Sequence, residues 1–158
     1  MLKLKTPVTD LATGMKGMLT HFCVMMGGSC FYNFQPLGLN KETGEPLEKF
    51  WITEPRVKGG VPADERRLPW EVLGTIAEDE ASGFKGMAIE FTLYTNGCVH
   101  VALQPSSLIP KTGEKVKAVE FDIRRLKGKA IKPMTEAEKE ADEFKRPSPS
   151  ETRSPLTR

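Results

Sequence analysis

The side chains best suited to chemistry are few and widely spaced. The chain has 158 residues, with two histidines, His21 and His100, and three cysteines, Cys23, Cys30 and Cys98. The cysteines lack CxxC or zinc-ligand spacing, and no nucleophile elbow, phosphate-binding loop or HExxH sequence is present. We therefore expect reduced thiols, no metal and no cofactor. A small enzyme that uses His21, His100 or Cys98 is the least favoured hypothesis.

The net charge and the composition give no sign of a nucleic-acid-binding or membrane protein. The formal net charge is +2, from 23 basic and 21 acidic residues, which is too small to indicate a nucleic-acid or membrane surface. No apolar run approaches the roughly 20 residues of a membrane span, and the first residues lack a signal-peptide core. These features predict a cytoplasmic protein with no membrane contact.

An internal repeat organises the chain. When the sequence is aligned with itself at an offset of 69 residues, 4–59 match 73–128 with 19 identities in 56 positions and no gap. Ala12-Thr-Gly-Met-Lys-Gly-Met18, for example, falls on Ala81-Ser-Gly-Phe-Lys-Gly-Met87. We infer a tandem duplication. A unit of this size buries little surface alone, so the two copies should pack together.

Alternating apolar residues predict short strands. In the second copy, two alternating runs flank Asn96-Gly97, which indicates a hairpin. A three-residue loop with Gly97 left-handed would pair Leu93 with Val99, Phe91 with Val101 and Ile89 with Leu103, all on one face. In the first copy the same scheme pairs Phe22 with Tyr32 and Val24 with Cys30. Both histidines then point to the outer face, His21 opposite Asn33 and His100 opposite Thr92.

The predicted organisation is all-β, with a changed composition at the C-terminal end. Residues 1–59 form the first β-barrel repeat, 60–72 a polar linker and 73–128 the second repeat. A capping box at Thr135–Glu138 predicts a short helix within 129–144. The Pro- and Ser-rich segment 145–158 is predicted to be disordered.

Several polar residues recur in both copies although folding alone does not require them. They are candidates for partner or ligand binding: Lys16, Lys85, Gln35, Gln104, Arg56, Arg125, Lys58 and Lys127. Two interpretations stay open. They either support local turns, or they form a pair of equivalent basic surfaces for an anionic or acidic partner. Trp51 and Trp70 have no tryptophan counterpart and are expected to pack in the core or between the copies rather than to form a binding cage.

Two segments carry a family resemblance. Thr13-Gly-Met-Lys-Gly-Met-Leu19 and Ser82-Gly-Phe-Lys-Gly-Met-Ala88, each followed by a strand, a glycine turn and a strand ending in Gln-Pro, resemble the opening of a Src-homology-3-like or KOW-type small barrel. The chain also resembles short proteins of tailed phages and prophages. The resemblance implies two tandem SH3-like barrels, and KOW-type barrels often bind RNA, ribosomal or transcription partners.

Three functions follow as hypotheses. The favoured one is a non-enzymatic interaction module, phage-encoded, that binds a host or phage protein in the bacterial cytoplasm, with a second copy of itself as another partner. The second is binding or sequestration of a nucleic acid or small anionic nucleotide through the duplicated basic residues. The third is the small enzyme described above.

Overall fold

The computed structural model describes residues 1–65 and 68–127, and this part of the chain is an antiparallel β-protein. It contains ten strands in one sheet. Their bounds are β1 Pro7–Asp10, β2 Lys16–Met25, β3 Cys30–Pro36, β4 Phe50–Thr53, β5 Val57–Gly59, β6 Ile76–Asp79, β7 Lys85–Tyr94, β8 Val99–Gln104, β9 Val119–Asp122 and β10 Leu126–Lys127. The predicted helix in 129–144 and the tail 145–158 lie outside the described residues.

The strands fall into two sets that differ by a constant offset. Each strand from β6 to β10 begins 69 residues after its counterpart in β1 to β5. A single 3-10 turn separates the fourth and fifth strands of each set, at Glu54–Arg56 and at Ile123–Arg125. The sequence offset is thus also the offset between equivalent elements.

The hairpin registers agree with the prediction except at one pair. Phe22 pairs with Tyr32 and Val24 with Cys30 in the first hairpin. Leu93 pairs with Val99 and Phe91 with Val101 in the second, so these predictions are confirmed.

The predicted pair of Ile89 with Leu103 is wrong. A β-bulge at Ile89 shifts the register, and Ala88 pairs with Leu103 instead. The small, fully buried Ala88 takes the core position, and Ile89 is left only half-buried.

Glycines fix the turns and one close approach. Gly28 and Gly97 have φ of +84° and +86° in equivalent three-residue loops, as predicted for Gly97. Gly86 lies within strand β7 and has no positive φ. A Cβ there would lie 2.7 Å from the carbonyl carbon of Gln104 on the neighbouring strand, so the glycine allows two backbones to approach closely.

Strands β2 and β7 join the two sets. The first part of β2 pairs with β1, and its last five residues pair antiparallel with β7. In this contact Cys23 pairs with Thr92, and these two residues occupy the same position in the two sets, since they are 69 residues apart. The junction is therefore pseudo-twofold symmetric, with Phe22–Leu93 and Val24–Phe91 on either side.

One core lies beneath this junction. Buried residues of both sets form a single apolar cluster that includes Phe22, Tyr32, Phe91 and Val101. The segment 60–72 contributes to it, since Val72 is fully buried in the cluster. Trp70 packs edge-on against Phe91, with ring centroids 5.6 Å apart. This segment therefore covers the core at the junction as well as linking the sets.

Candidate functional site

The duplicated arginines form internal ion pairs. Arg56 donates from Nε to Oδ1 of Asp10 at 3.0 Å and from Nη2 to Oδ2 at 2.7 Å. Arg125 donates one bond to its aspartate, from Nη2 to Oδ2 of Asp79 at 2.8 Å. Both aspartates are fully buried. The Arg56 guanidinium is the main reason that the pKa of Asp10 falls to about 2. The arginines thus anchor the turns after β1 and β6.

The duplicated glutamines hold long loops against the sheet. Gln35 donates from Nε2 to the carbonyl of Leu47 at 2.7 Å. Gln104 makes the equivalent bond to the carbonyl of Val116 at 2.6 Å. Each amide also donates to the carbonyl of the proline that follows it. Both side chains therefore satisfy local backbone groups.

The duplicated lysines do not gather at one site. Lys16 and Lys85 open β2 and β7 and are exposed, and Lys58 is exposed on β5. None of these three makes an ion pair in residues 1–65 and 68–127. Lys127 lies 3.5 Å from the carboxylate of Glu78. Of the eight predicted site residues, Lys85 and Gln104 line one groove together.

A different surface has the features of a binding site. It is the side of the sheet opposite the core, around the β2–β7 junction, and we call it the seam face. The strand pairings place seven residues of each set on it: His21, Cys23, Met25, Phe31, Asn33, Trp51 and Thr53 from the first, and Glu90, Thr92, Tyr94, His100, Ala102, Glu120 and Asp122 from the second.

An aromatic row crosses the seam face from one set to the other. The ring of Trp51 meets His21 edge-on at 5.0 Å, and His21 stacks on Tyr94 at 5.1 Å. Tyr94 in turn meets His100 at 5.0 Å. The outer-face positions predicted for both histidines are confirmed by their pairing with Asn33 and Thr92. The junction thus brings together two histidines that are far apart in sequence.

Exposure and support differ along this row. The side chain of Trp51 is 48% exposed on the outer face, so the expectation that it packs in the core is wrong. Asn33, Cys23 and Thr92 on the same face are buried. Burial raises the pKa of the Cys23 thiol to about 11, so this cysteine is a protonated, inert packing residue. All three cysteines are free thiols. The row is therefore a partly exposed layer on a packed base.

The environment of His21 keeps its ring neutral. Burial, followed by the charge of Lys49, lowers the pKa of His21. The hydroxyl of Thr20 lies 3.1 Å from Oδ1 of Asn33 and 3.2 Å from Nδ1 of His21. Because this hydroxyl has one proton and Asn33 accepts it, we assign the proton of His21 to Nδ1. The Nε2 atom is then a hydrogen-bond acceptor.

The charged side chains at the strand positions of the seam face are the carboxylates of Glu90, Glu120 and Asp122. Asp122 accepts hydrogen bonds from Arg124 at 2.9 Å, through the backbone nitrogen and through Nε. Glu120 lies 3.8 Å from Nδ1 of His100, and burial raises the pKa of Glu90. The second-set half of the face is therefore acidic.

None of the seven equivalent positions on the seam face is identical in the two sets. Trp51 corresponds to Glu120, His21 to Glu90 and Tyr94 to Met25. On the opposite face, by contrast, the equivalent positions keep their apolar character, as in Phe22 and Phe91. The copies have diverged on the face that the core does not constrain.

Sequence reasoning missed the residues of the second-set half. Tyr94, Glu90 and Glu120 differ from their counterparts, so a search for repeated polar residues passes over them. The available signal was the register, which already placed the histidines outward. What the sequence did not reveal is the β2–β7 pairing that brings Tyr94 against His21.

In the part of the chain that the structure describes, no group of three histidine, cysteine or acidic side chains could hold a metal ion. No helix of that part is long and apolar enough to cross a membrane. Comparisons of the chain with protein-family models, with curated proteins and with solved structures gave no match.

Proposed function

We propose that this chain is a non-enzymatic interaction module that binds a protein partner on the seam face. The observation that carries the proposal is the aromatic row of Trp51, His21, Tyr94 and His100 across the junction of the two sets, in which Trp51 is exposed and the other three rings are partly exposed. Tryptophan and tyrosine provide large contact areas that lose little conformational freedom on binding, and they are enriched at binding hot spots.

The charges of the face favour a partner segment that carries lysine or arginine. Glu90 and Glu120 make no ion pair with a lysine or arginine in the described part of the chain. Glu90 accepts a hydrogen bond from the hydroxyl of Thr92, and Glu120 lies near His100. The Nε2 acceptor of His21 adds a site for a donor. A guanidinium could also stack over Trp51 or Tyr94. The proposed partner is therefore a basic, partly apolar protein segment.

The strand order supports an SH3-like barrel for each set as a proposal. In the first set the order is β5-β1-β2-β3-β4, with a 3-10 turn before β5, and the second set has the same order. β2 pairs with β1, β3 and β7, and the bulge after Leu19 lies between the part that pairs with β1 and the part that pairs with β7. The origin in a tailed phage and a target in the bacterial host stay predictions that rest on the resemblance alone.

Binding of single-stranded nucleic acid is the competing function. Exposed aromatic rings on an open sheet face are also used to stack bases. The carboxylates of Glu90 and Glu120 on the seam face would repel phosphate groups, and two of the duplicated basic residues, Arg56 and Arg125, already pair with buried aspartates. These contacts favour the protein partner.

The test is a comparative capture experiment from bacterial lysate, with and without nuclease. The wild-type chain is compared with a variant carrying Trp51→Ala and Tyr94→Ala. The matched control carries Leu11→Ala and Leu37→Ala, two exposed apolar side chains outside the seam face. We expect a protein that wild type and control retain after nuclease treatment and that the seam variant loses.

The captured protein then identifies the binding chemistry. Binding that persists when its lysine- or arginine-rich segment is neutralised, or capture that the seam variant retains, would contradict the proposal. Recovery of nucleic acid in place of protein would establish the competing function.

A further inference from the structure

A second surface feature lies away from the seam face. It is an open groove of about 670 Å³ beside the first half of β7. Its other side is the loop 105–118, and we call this loop the arm. The floor of the groove is apolar, from Ile76, Met87 and Ile89. Ile76 is 57% exposed and Met87 is 38% exposed, so the groove presents uncovered apolar surface.

The position of the arm is fixed by several hydrogen bonds. Gln104 donates to the carbonyl of Val116 at 2.6 Å, and Val116 donates its backbone N–H to the carbonyl of Ser107 at 3.3 Å. Leu108 and Lys115 form an isolated bridge within it. Gln104 thus positions the arm, which forms the wall of the groove opposite β7. Since the arm is held at both ends, the groove is a preformed feature.

Two lysines give the groove its charge. Lys85 and Lys115 both line it, and no acidic side chain does. Neither ammonium group has an ion pair in the described part of the chain. Glu78, which pairs with Lys85 across the strands, has its carboxylate 3.5 Å from Lys127 instead. The groove therefore has two positive charges above an apolar floor and no negative charge of its own to balance them.

The first set lacks this combination. Lys16 corresponds to Lys85, but Pro46 stands where the second set has Lys115. At the floor, Thr20 replaces Ile89. The charge and the apolar floor therefore occur together only in the second set, and Lys16 provides a natural control for Lys85.

We propose that this groove binds an extended acidic peptide segment of a protein partner, with carboxylates at Lys85 and Lys115 and apolar side chains on Ile76, Met87 and Ile89. An open groove leaves a small molecule largely exposed, whereas a peptide can follow its length and place alternate side chains on floor and wall. The site is separate from the seam face and prefers the opposite charge.

The test uses the full chain and fluorescence anisotropy. The probe is a labelled peptide of about ten residues that alternates glutamate with leucine, which spans roughly 33 Å when extended. A peptide alternating lysine with leucine is the charge control, and decanoate is a competing small amphiphile. The variants are Lys85→Glu with Lys115→Glu, the control Lys16→Glu, and Trp51→Ala on the seam face.

We expect the acidic peptide to bind wild type, Lys16→Glu and Trp51→Ala equally. The double groove variant should weaken binding at least about tenfold, and added salt should weaken it in wild type. Any binding of the basic peptide should be equal in wild type and in the double groove variant.

Three results would overturn the proposal. They are absence of binding by the acidic peptide, an equal loss in Lys16→Glu, and displacement of the peptide by decanoate at equal concentration. Loss of binding in Trp51→Ala would place the peptide on the seam face and would also contradict the groove. Failure of the groove leaves the capture experiment on the seam face unaffected, so the two proposals are tested separately.

Discussion

The two buried aspartates occupy equivalent positions but have different hydrogen-bond partners. Asp10 accepts two bonds from Arg56, and further bonds from the backbone and hydroxyl of Thr13. Asp79 accepts one bond from Arg125 and two from Ser82, and its Oδ1 atom has no hydrogen-bond partner in the described part of the chain. A buried oxygen without a partner is costly, so the first pair should contribute more stability.

We expect Arg56→Ala to destabilise the fold by about 1–3 kcal/mol, because it leaves two acceptor positions of a buried carboxylate without a donor. Arg125→Ala, which removes a single bond to Asp79, should cost less. Urea unfolding of both variants and wild type provides the comparison. An equal loss, or a larger loss in Arg125→Ala, would contradict this account.

Acid sensitivity follows from the same pair. The pKa of Asp10 falls from 3.8 to about 2 in the fold, mainly through the hydrogen bonds of Arg56. The unfolded chain therefore binds a proton first, and the stability due to Asp10 is lost as pH falls from 3.8 to about 2.

In Arg56→Ala the native pKa of Asp10 rises toward its ordinary value, so the difference in unfolding free energy between wild type and variant should shrink across this pH window. Urea titrations at several pH values measure that difference. A difference that stays constant down to the lowest pH would show that the ion pair does not set the pKa.

At the scale of elements, two features could be read from the sequence and two could not. Alternation and glycine position predicted the hairpins and their three-residue loops, because side-chain period and left-handed φ are local properties. The bulge at Ile89 and the β2–β7 pairing depend on which residue the completed core accepts. Ala88 is selected for the core only once Leu103 and the neighbouring strands are in place.

The close approach of β7 and β8 gives a test of the sheet geometry. A Cβ at Gly86 would lie 2.7 Å and 2.8 Å from backbone atoms of Gln104, so Gly86→Ala should separate the strands and cost about 1–3 kcal/mol. Gly27→Ala is the control, because a Cβ there meets nothing within 4 Å.

Thermal unfolding of the two variants distinguishes the cases. A Tm for Gly86→Ala equal to that of Gly27→Ala would show that the strands are not so close. A fall confined to Gly86→Ala supports the geometry.

At the scale of the whole molecule, the two equivalent sets of strands form one sheet whose two faces differ in how far equivalent residues agree. The face over the core keeps apolar residues in both sets, whereas the seam face has no identical equivalent pair. The repeated Arg and Gln residues, which the sequence singled out as binding candidates, make internal bonds. For these arginines and glutamines, repetition therefore marks what each set needs to fold, and the seam face, the first candidate for function, lies where the sets differ.

The most direct test of this account is site-specific photo-crosslinking in bacterial cells. A photoreactive phenylalanine replaces Trp51 in one variant and Leu11, which is 58% exposed and off the seam face, in another. The account predicts a discrete protein crosslink from position 51 that position 11 does not give, and that Tyr94→Ala abolishes. A crosslink from position 11 alone, or the same crosslink from both positions, would contradict the seam face as the binding surface.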